Sequence, residues 1–158
     1  MYKDWSSYVF VTHEGEQGGA KVLCIRNSDG PGTRQWRLPG GPKMEQEQDS
    51  LDTARRTTTR QTGINIYGLN LRRIGDSIKK EVRTRRNHHS HKLNKHAIRF
   101  YRASLPIDRL LRRSNPADGL ESDFLPLSIL RSKEDFLDSH RRFLLENRLL
   151  GETGPEGD

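Results

Sequence analysis

The residues best placed to do chemistry lie between positions 38 and 64 of this 158-residue chain. A Gly40-Gly41 turn is followed by a short acidic stretch and then by a stretch rich in arginine. The acidic side chains are Glu45, Glu47, Asp49 and Asp52, and the arginines are Arg55, Arg56 and Arg60. Carboxylates are the ligands that Mg²⁺ prefers, and guanidinium groups bind phosphate well. The stretch therefore indicates phosphate chemistry, with or without a metal.

Several residues of this stretch stand at a characteristic spacing. They are Leu38-Pro39-Gly40-Gly41, Ala54, Arg56 and the closing pair Gly63-Ile64. Together they resemble the signature of the Nudix family, Mg²⁺-dependent pyrophosphohydrolases of nucleoside diphosphates linked to another group. The loop from Gly41 to Gln48 is one residue longer than the family spacing. The resemblance implies a Nudix-like α/β/α sandwich with a mixed sheet, in which residues 1–150 form a single domain and 151–158 a flexible C-terminal tail.

The helix face that carries the family's catalytic glutamates differs here. The family places Glu at the positions of Thr57, Arg60 and Gln61, which share one face of a helix. In the family these carboxylates hold a metal that activates water. Arg60 instead puts a positive charge where the cation would sit, and like charges a few Å apart repel by about 1 to 4 kcal/mol. We therefore expect Mg²⁺-dependent hydrolysis to be lost or weak.

The nearby acids allow two interpretations. If the protein is an active hydrolase, a displaced site for Mg²⁺ or Mn²⁺ would use Glu45, Glu47, Asp52 and Glu121, with Glu47 as the candidate catalytic residue. If it is inactive, Asp49 and Asp52 favour the helix N-terminus and Glu45 and Glu47 are solvated loop acids. We favour the second interpretation.

An inactive domain would still bind a nucleotide or another phosphorylated small molecule. Fixed cations would then replace the metal at the phosphate. The predicted ligand-binding set is Gly40, Gly41, Arg55, Arg56 and Arg60. The resemblance also allows a purely structural role for Arg56, because the family arginine usually pairs with the loop. Tyr8 and Trp36 could stack on a base, but we favour packing for both.

Charge raises a third possibility, an RNA-binding module. The formal net charge is +7 and the pI is near 9.9, which favours polyanionic partners. The segment 83–96 is dense in basic residues and histidine. A polyanion arm there would use Arg83, Arg85, Arg86, Lys92 and Lys95. The alternatives are a solvated loop and a metal site of His88, His89, His91 and His96, although these histidines match no defined zinc pattern.

Composition and periodicity define the elements that would position these residues. One domain is the natural count for this length, and a single cysteine, Cys24, excludes an internal disulfide. No apolar stretch approaches a membrane span, so we expect a cytoplasmic protein without membrane partners, of unspecified oligomeric state. The predicted strands are 7–13, 20–27, two within 64–82, 96–105 and the sheet-ending segment 124–130. The predicted helices are 50–62, stopped by Gly63, a short one at 108–113, and 135–150.

Overall fold

The computed structural model describes residues 4–15, 19–28, 34–83, 93–106 and 113–150, of which 76–83 and 93–95 by backbone alone. The strands are β1 (Asp4–Gly15), β2 (Gly19–Asn27), β3 (Gly40–Pro42), β4 (Arg72–Arg83), β5 (Leu93–Ser104) and β6 (Leu120–Pro126). The helices are α1 (Ser50–Thr62), a 3₁₀ turn at Leu127–Ile129, and α2 (Asp138–Glu146).

The six strands form one mixed sheet in the order β4-β5-β1-β2-β6, with β3 paired to β1. β1 and β5 run parallel, and the other pairs are antiparallel. α1 and α2 pack on opposite faces of this sheet, because successive residues of a strand point to opposite sides. Val9 and Val11 belong to the core beneath α1, whereas Phe10 belongs to the core beneath α2. The predicted α/β/α sandwich with a mixed sheet is confirmed.

The segment that leads into the Gly40-Gly41 turn is inserted between β1 and β2. β2 pairs with β1 only from Thr12 onward, while β3 pairs with the earlier half of β1, at Ser6–Tyr8. Between these ends, Val9 N–H donates to the carbonyl of Pro39 at 3.0 Å. The glycine turn therefore lies where the two strands separate, which places it against the sheet and beside α1.

Both ends of α1 are set by the residues that the sequence indicates. Asp49 is the N-cap, and its side chain accepts a hydrogen bond from Leu51 N–H. Gly63 ends the helix with φ 75°, a left-handed conformation that glycine adopts without strain. Gly63 also has no room for a side chain, because an added Cβ would stand 2.1 Å from the Ser114 carbonyl oxygen. The predicted helix Ser50–Thr62 is confirmed with the same bounds.

Other boundaries differ from the predictions. Residues 64–71 contain no strand, so the predicted pair of strands within 64–82 is reduced to β4. The predicted segment 124–130 is the end of β6 followed by the 3₁₀ turn. The last helix begins at Asp138 rather than 135, because Trp36 and Phe136 form a β-bridge. The predicted tail 151–158 and nearly all of the short helix 108–113 lie outside the described residues.

No helix in the described ranges is long and apolar enough to cross a membrane.

Candidate functional site

Gln61 makes a two-point contact with the glycine turn. Its side-chain Nε2 donates to the carbonyl oxygen of Gly40 at 2.9 Å, and its Oε1 accepts from Gly40 N–H at 2.8 Å. An amide can satisfy both backbone groups because it carries a donor and an acceptor, whereas a carboxylate has only acceptors. Gly40 itself has φ 150°, and an added Cβ would meet the Ser7 carbonyl oxygen at 2.1 Å. The contact therefore fixes the turn to the last part of α1.

Thr57 and Arg60, the other two residues of this helix face, have opposite environments. Thr57 is buried, and its hydroxyl donates back to the Thr53 carbonyl at 2.7 Å. Its methyl group lies 3.8 Å from the position that a Cβ on Gly41 would take. Arg60 is exposed, and no hydrogen bond or ion pair joins it to the described residues. The face thus offers one exposed cation, while its neutral groups are already hydrogen-bonded.

Glu47 and Arg56 form the second link between the loop and α1. Arg56 Nε lies 2.8 Å from Glu47 Oε2, and its Nη2 donates to Glu47 Oε1 at 3.0 Å and to the Pro42 carbonyl at 3.0 Å. Glu47 Oε1 also accepts from Met44 N–H at 2.7 Å. Bidentate pairs of this kind are stronger and more directional than neutral hydrogen bonds. The pair closes the loop between β3 and α1.

The same carboxylate is connected to the sheet. The Thr53 hydroxyl donates to Glu47 Oε1 at 2.9 Å and accepts from the indole N–H of Trp5 at 2.9 Å. Hydrogen bonds from Arg56 lower the pKa of Glu47 to about 2, opposed by burial and assisted by the donors from Met44 and Thr53. Glu47 therefore stays ionised at neutral pH and accepts four hydrogen bonds from three residues.

The fold of this chain is similar to that of several solved structures. The NUDIX domain of Shewanella oneidensis NrtR, complexed with ADP ribose, superposes with a TM-score of 0.65 at 16% identity, over 90% of this chain and 84% of that chain. A MutT protein from Methanosarcina mazei Go1 gives a TM-score of 0.63 at 18% identity, over 94% and 95%. This chain has the Nudix fold.

A third similar structure, Shewanella oneidensis NrtR complexed with a 27mer DNA, gives a TM-score of 0.64 at 16% identity. The match covers 91% of this chain but only 60% of that one. No protein-family model and no curated protein matches the sequence. The fold is therefore established by structure, at identities too low to transfer an activity.

The helix face of this Nudix-fold chain does not fit the family's metal. Mg²⁺ requires oxygen ligands, usually carboxylates. The Thr57 hydroxyl and the Gln61 amide are both committed to backbone groups, and Arg60 adds a cation. No step of a metal-dependent reaction can be derived from these three side chains.

The predicted displaced metal set is not assembled either. Glu121, on β6, pairs with Arg26 at 3.0 Å and with Arg34 at 3.1 Å, while Glu47 is held by Arg56. Glu45 and Asp52 are exposed. Among the described residues, no group of three His, Cys, Asp or Glu side chains is placed to hold a metal ion. A metal site of Glu45, Glu47, Asp52 and Glu121 therefore stays a prediction for an active enzyme, and it would have to displace the arginines that neutralise two of these carboxylates.

The predicted phosphate-binding arginines occupy three different situations. Arg56 is engaged with Glu47 and the loop, in the structural role that the Nudix resemblance allowed for. Arg60 is exposed. Arg55 is half-buried, and its Nε is buried without a hydrogen-bond partner in the described structure. Because a buried donor without a partner is costly, Arg55 is the arginine whose surroundings most need an acceptor.

The two aromatic candidates are packed. Trp36 is buried in the core beneath α2, with the Arg26 guanidinium 4.4 Å from its ring centroid. Tyr8 packs edge-on against His140, with ring centroids 4.6 Å apart. His140 in turn accepts a hydrogen bond from Leu38 N–H at 3.1 Å. Burial lowers the pKa of His140 to about 4, and the charge of Arg37 acts in the same direction.

The sequence interpretation missed the cations around Trp5. Lys43 Nζ lies 5.0 Å from its ring centroid and Arg99 Cζ 6.0 Å. Arg99 also donates to the Ser50 hydroxyl at 3.1 Å. These contacts join residues 38 to 94 positions apart along the chain, so no local pattern reveals them.

The predicted polyanion arm lies mostly outside the described residues. Arg83 is the last residue of β4 and pairs with Leu93, the first of β5. Lys95 lies in β5, opposite Glu81. Arg85, Arg86 and Lys92 fall in 84–92, beyond the described part, as do His88, His89 and His91. His96 is described, and its Nε2 lies 2.9 Å from the Ser6 hydroxyl.

Proposed function

We propose that this Nudix-fold domain binds a nucleotide or another nucleoside diphosphate-linked ligand and has lost most or all of the Mg²⁺-dependent pyrophosphohydrolase activity. One observation carries the proposal. The Gln61 amide stands where the resemblance expects a catalytic glutamate, and it is closed onto Gly40 by two hydrogen bonds. A residue used in this way builds the turn and supplies no metal ligand.

The phosphate would be held by fixed cations in place of a metal. Arg60 is exposed on the helix face next to the turn, and Arg55 carries a buried Nε without an acceptor. Guanidinium groups bind phosphate in a bidentate manner and do not lose their charge at physiological pH. The net charge of +7 attracts such ligands over a longer range. The similar NUDIX domain of NrtR was solved with ADP ribose, which makes ADP-ribose a suitable probe.

Metal dependence tests the proposal. Calorimetric titration with ADP-ribose is performed in EDTA and again in Mg²⁺, and the proposal expects the same affinity in both. A ligand at 100 times its Kd adds about 2.7 kcal/mol of stability. At about 2 to 4 °C per kcal/mol for a domain of this size, a thermal-shift assay would show roughly 5 to 10 °C. Binding that appears only with Mg²⁺ would contradict the proposal.

The role of Arg60 has a matched control. Arg60→Glu is expected to weaken ADP-ribose binding, whereas Lys21→Glu changes the net charge equally at an exposed position of β2, opposite His13 near the far end of β1. Equal effects of the two variants would reduce the role of Arg60 to long-range attraction.

Hydrolysis is measured separately. The protein is incubated with ADP-ribose or related nucleoside diphosphate derivatives in the presence of Mg²⁺ or Mn²⁺, and the release of phosphate-containing products is measured. The proposal expects little or no product. Turnover that is abolished in Glu47→Gln, while the folded state persists, would instead support the active-hydrolase alternative and the catalytic prediction for Glu47.

A further inference from the structure

A cavity lies toward the opposite end of β1 from the glycine turn. The turn pairs with Ser6–Tyr8 of β1, whereas this cavity of about 590 Å³ is lined by residues of the other half of β1, beginning at Phe10. Leu127 and Leu149 contribute further apolar walls. The cavity therefore involves neither α1 nor the residues of the proposed nucleotide site.

Arginines from three elements gather on this face. Arg102 of β5 and Arg148, just after α2, both line the cavity. Arg72 of β4 stands directly opposite Arg102 in the antiparallel register, so the two side chains share one face. Like charges placed directly opposite each other in a sheet are destabilising. All three arginines are exposed, and an anion bound between them would relieve the repulsion of their charges.

The described residues provide few negative charges to neutralise these three arginines. None of the three arginines forms an ion pair with a described residue. Glu14 is the acidic side chain that lines the cavity, and His13 lines it as well. One carboxylate against three guanidinium groups leaves a local excess of positive charge.

The backbone of Arg148 points to a use for its side chain. Arg148 N–H bonds to the Leu145 carbonyl and Leu149 N–H to the Leu144 carbonyl, which is the Schellman arrangement that ends many helices. Arg148 occupies the left-handed position of this motif, with φ 58°. Among the described residues, no other non-glycine residue has a positive φ. Glycine fills this position without strain. Capping therefore favours glycine, and Arg148 keeps a charged side chain beside the cavity at a position where glycine would be less strained.

We propose that Arg72, Arg102 and Arg148 form a second anion site, which binds the phosphate groups of a small molecule independently of the proposed nucleotide site. Three guanidinium groups match the oxygens of a diphosphate through charge-assisted hydrogen bonds. The apolar walls at Phe10, Leu127 and Leu149 pack against the uncharged part of such a ligand.

Inorganic pyrophosphate is the probe, titrated calorimetrically into the full chain at low and moderate ionic strength. The wild type is expected to bind it saturably, and Arg102→Gln to bind it about tenfold or more weakly, the loss expected for one charged hydrogen bond. Arg142→Gln is the matched control, because Arg142 is an exposed arginine of α2 that pairs with Asp138. This control is expected to leave the affinity unchanged.

Arg148→Gly separates binding from folding. Relief of the left-handed strain is expected to raise the melting temperature, while loss of the guanidinium lowers the affinity for pyrophosphate. Higher stability together with weaker binding would support the site. Binding by Arg102→Gln and Arg148→Gly that equals the wild type, or no saturable binding by the wild type, would overturn it. If Arg60→Gln alone abolished binding, the probe would belong to the helix face and the second site would also be refuted.

Discussion

The replacement Gln61→Glu tests whether the amide is required to hold the glycine turn. The change removes the hydrogen bond from Nε2 to the Gly40 carbonyl and places a carboxylate oxygen about where the amino group stood, 2.9 Å from that carbonyl oxygen. The lost hydrogen bond costs about 0.5 to 1.5 kcal/mol. Repulsion between the carboxylate and the carbonyl dipole adds on the order of 1 to 2 kcal/mol. We therefore expect a loss of about 2 to 3 kcal/mol in the free energy of unfolding at pH 7.5.

The loss should depend on pH. A protonated carboxyl regains a donor, so the folded state raises the pKa of the introduced group above its ordinary value of about 4.3. A penalty of 2 to 3 kcal/mol corresponds to a rise of roughly 1.5 to 2 pKa units. The destabilisation is therefore full above about pH 6.5 and disappears as the pH falls below about 4.

Thermal denaturation followed by circular dichroism, from pH 4 to pH 8 in steps, measures the difference between variant and wild type at each pH. At pH 7.5 we expect a melting temperature roughly 5 to 10 °C lower. Gln61→Met is the control, because it loses both contacts without adding a titrating group and its difference should not depend on pH. A Gln61→Glu variant as stable as the wild type at pH 7.5 would refute the reasoning.

Three other perturbations address the remaining contacts. Glu47→Gln should lower the free energy of unfolding by about 2 to 4 kcal/mol in urea denaturation. In the wild type, the stabilisation from the ion pair of Glu47 with Arg56 is present above about pH 4.5 and is lost as the pH falls through about 2. If the variant lost as much stability as the wild type over this pH range, the ion pair would not be its source. His140→Phe should cost about 1 to 3 kcal/mol at pH 7.5, because Leu38 N–H loses its acceptor. The folded state depresses the pKa of His140 to about 4, so its contribution to stability is complete above about pH 6.5 and is lost as the pH falls through about 4. The difference in free energy of unfolding between wild type and variant should therefore narrow between these pH values. A difference that stays constant would contradict the role of His140. Gly40→Ala should cost about 3 kcal/mol or more because its Cβ would clash with backbone, and a soluble, equally stable variant would disprove the close approach.

The local signals in the sequence were sufficient for α1. Asp49 before the helix, Gly63 after it and Arg56 at the family position predicted the element and its bounds, because caps act over a few residues. The run Thr57–Thr59 is helical although its intrinsic helix propensity is weak. Thr57 and Thr58 are buried, so packing against the sheet outweighs propensity here. The helix could therefore be predicted, and the reason for its tolerance of threonine could not.

The contacts that define the candidate site are long-range in sequence. Gln61 meets Gly40 across 21 positions, and Trp5 meets Thr53 across 48. The sequence indicates that Gln61 stands where the family has a glutamate. It does not indicate that the amide oxygen and the amide nitrogen both form hydrogen bonds with Gly40. The ion pairs of Glu121 could not be predicted for the same reason, because its partners Arg26 and Arg34 are 95 and 87 positions away. Side-chain pairing of this kind is decided by tertiary packing.

The pairing of Glu47 with Arg56 has a consequence for how such a protein evolves. That pair and the Pro42 carbonyl shape the loop without any contact from Thr57 or Arg60, so the loop can keep its form while those two positions change. Gln61 differs from them, because its amide holds the glycine turn itself. A lineage that loses the metal-binding face can therefore keep the loop, and one residue of that face can become part of the scaffold.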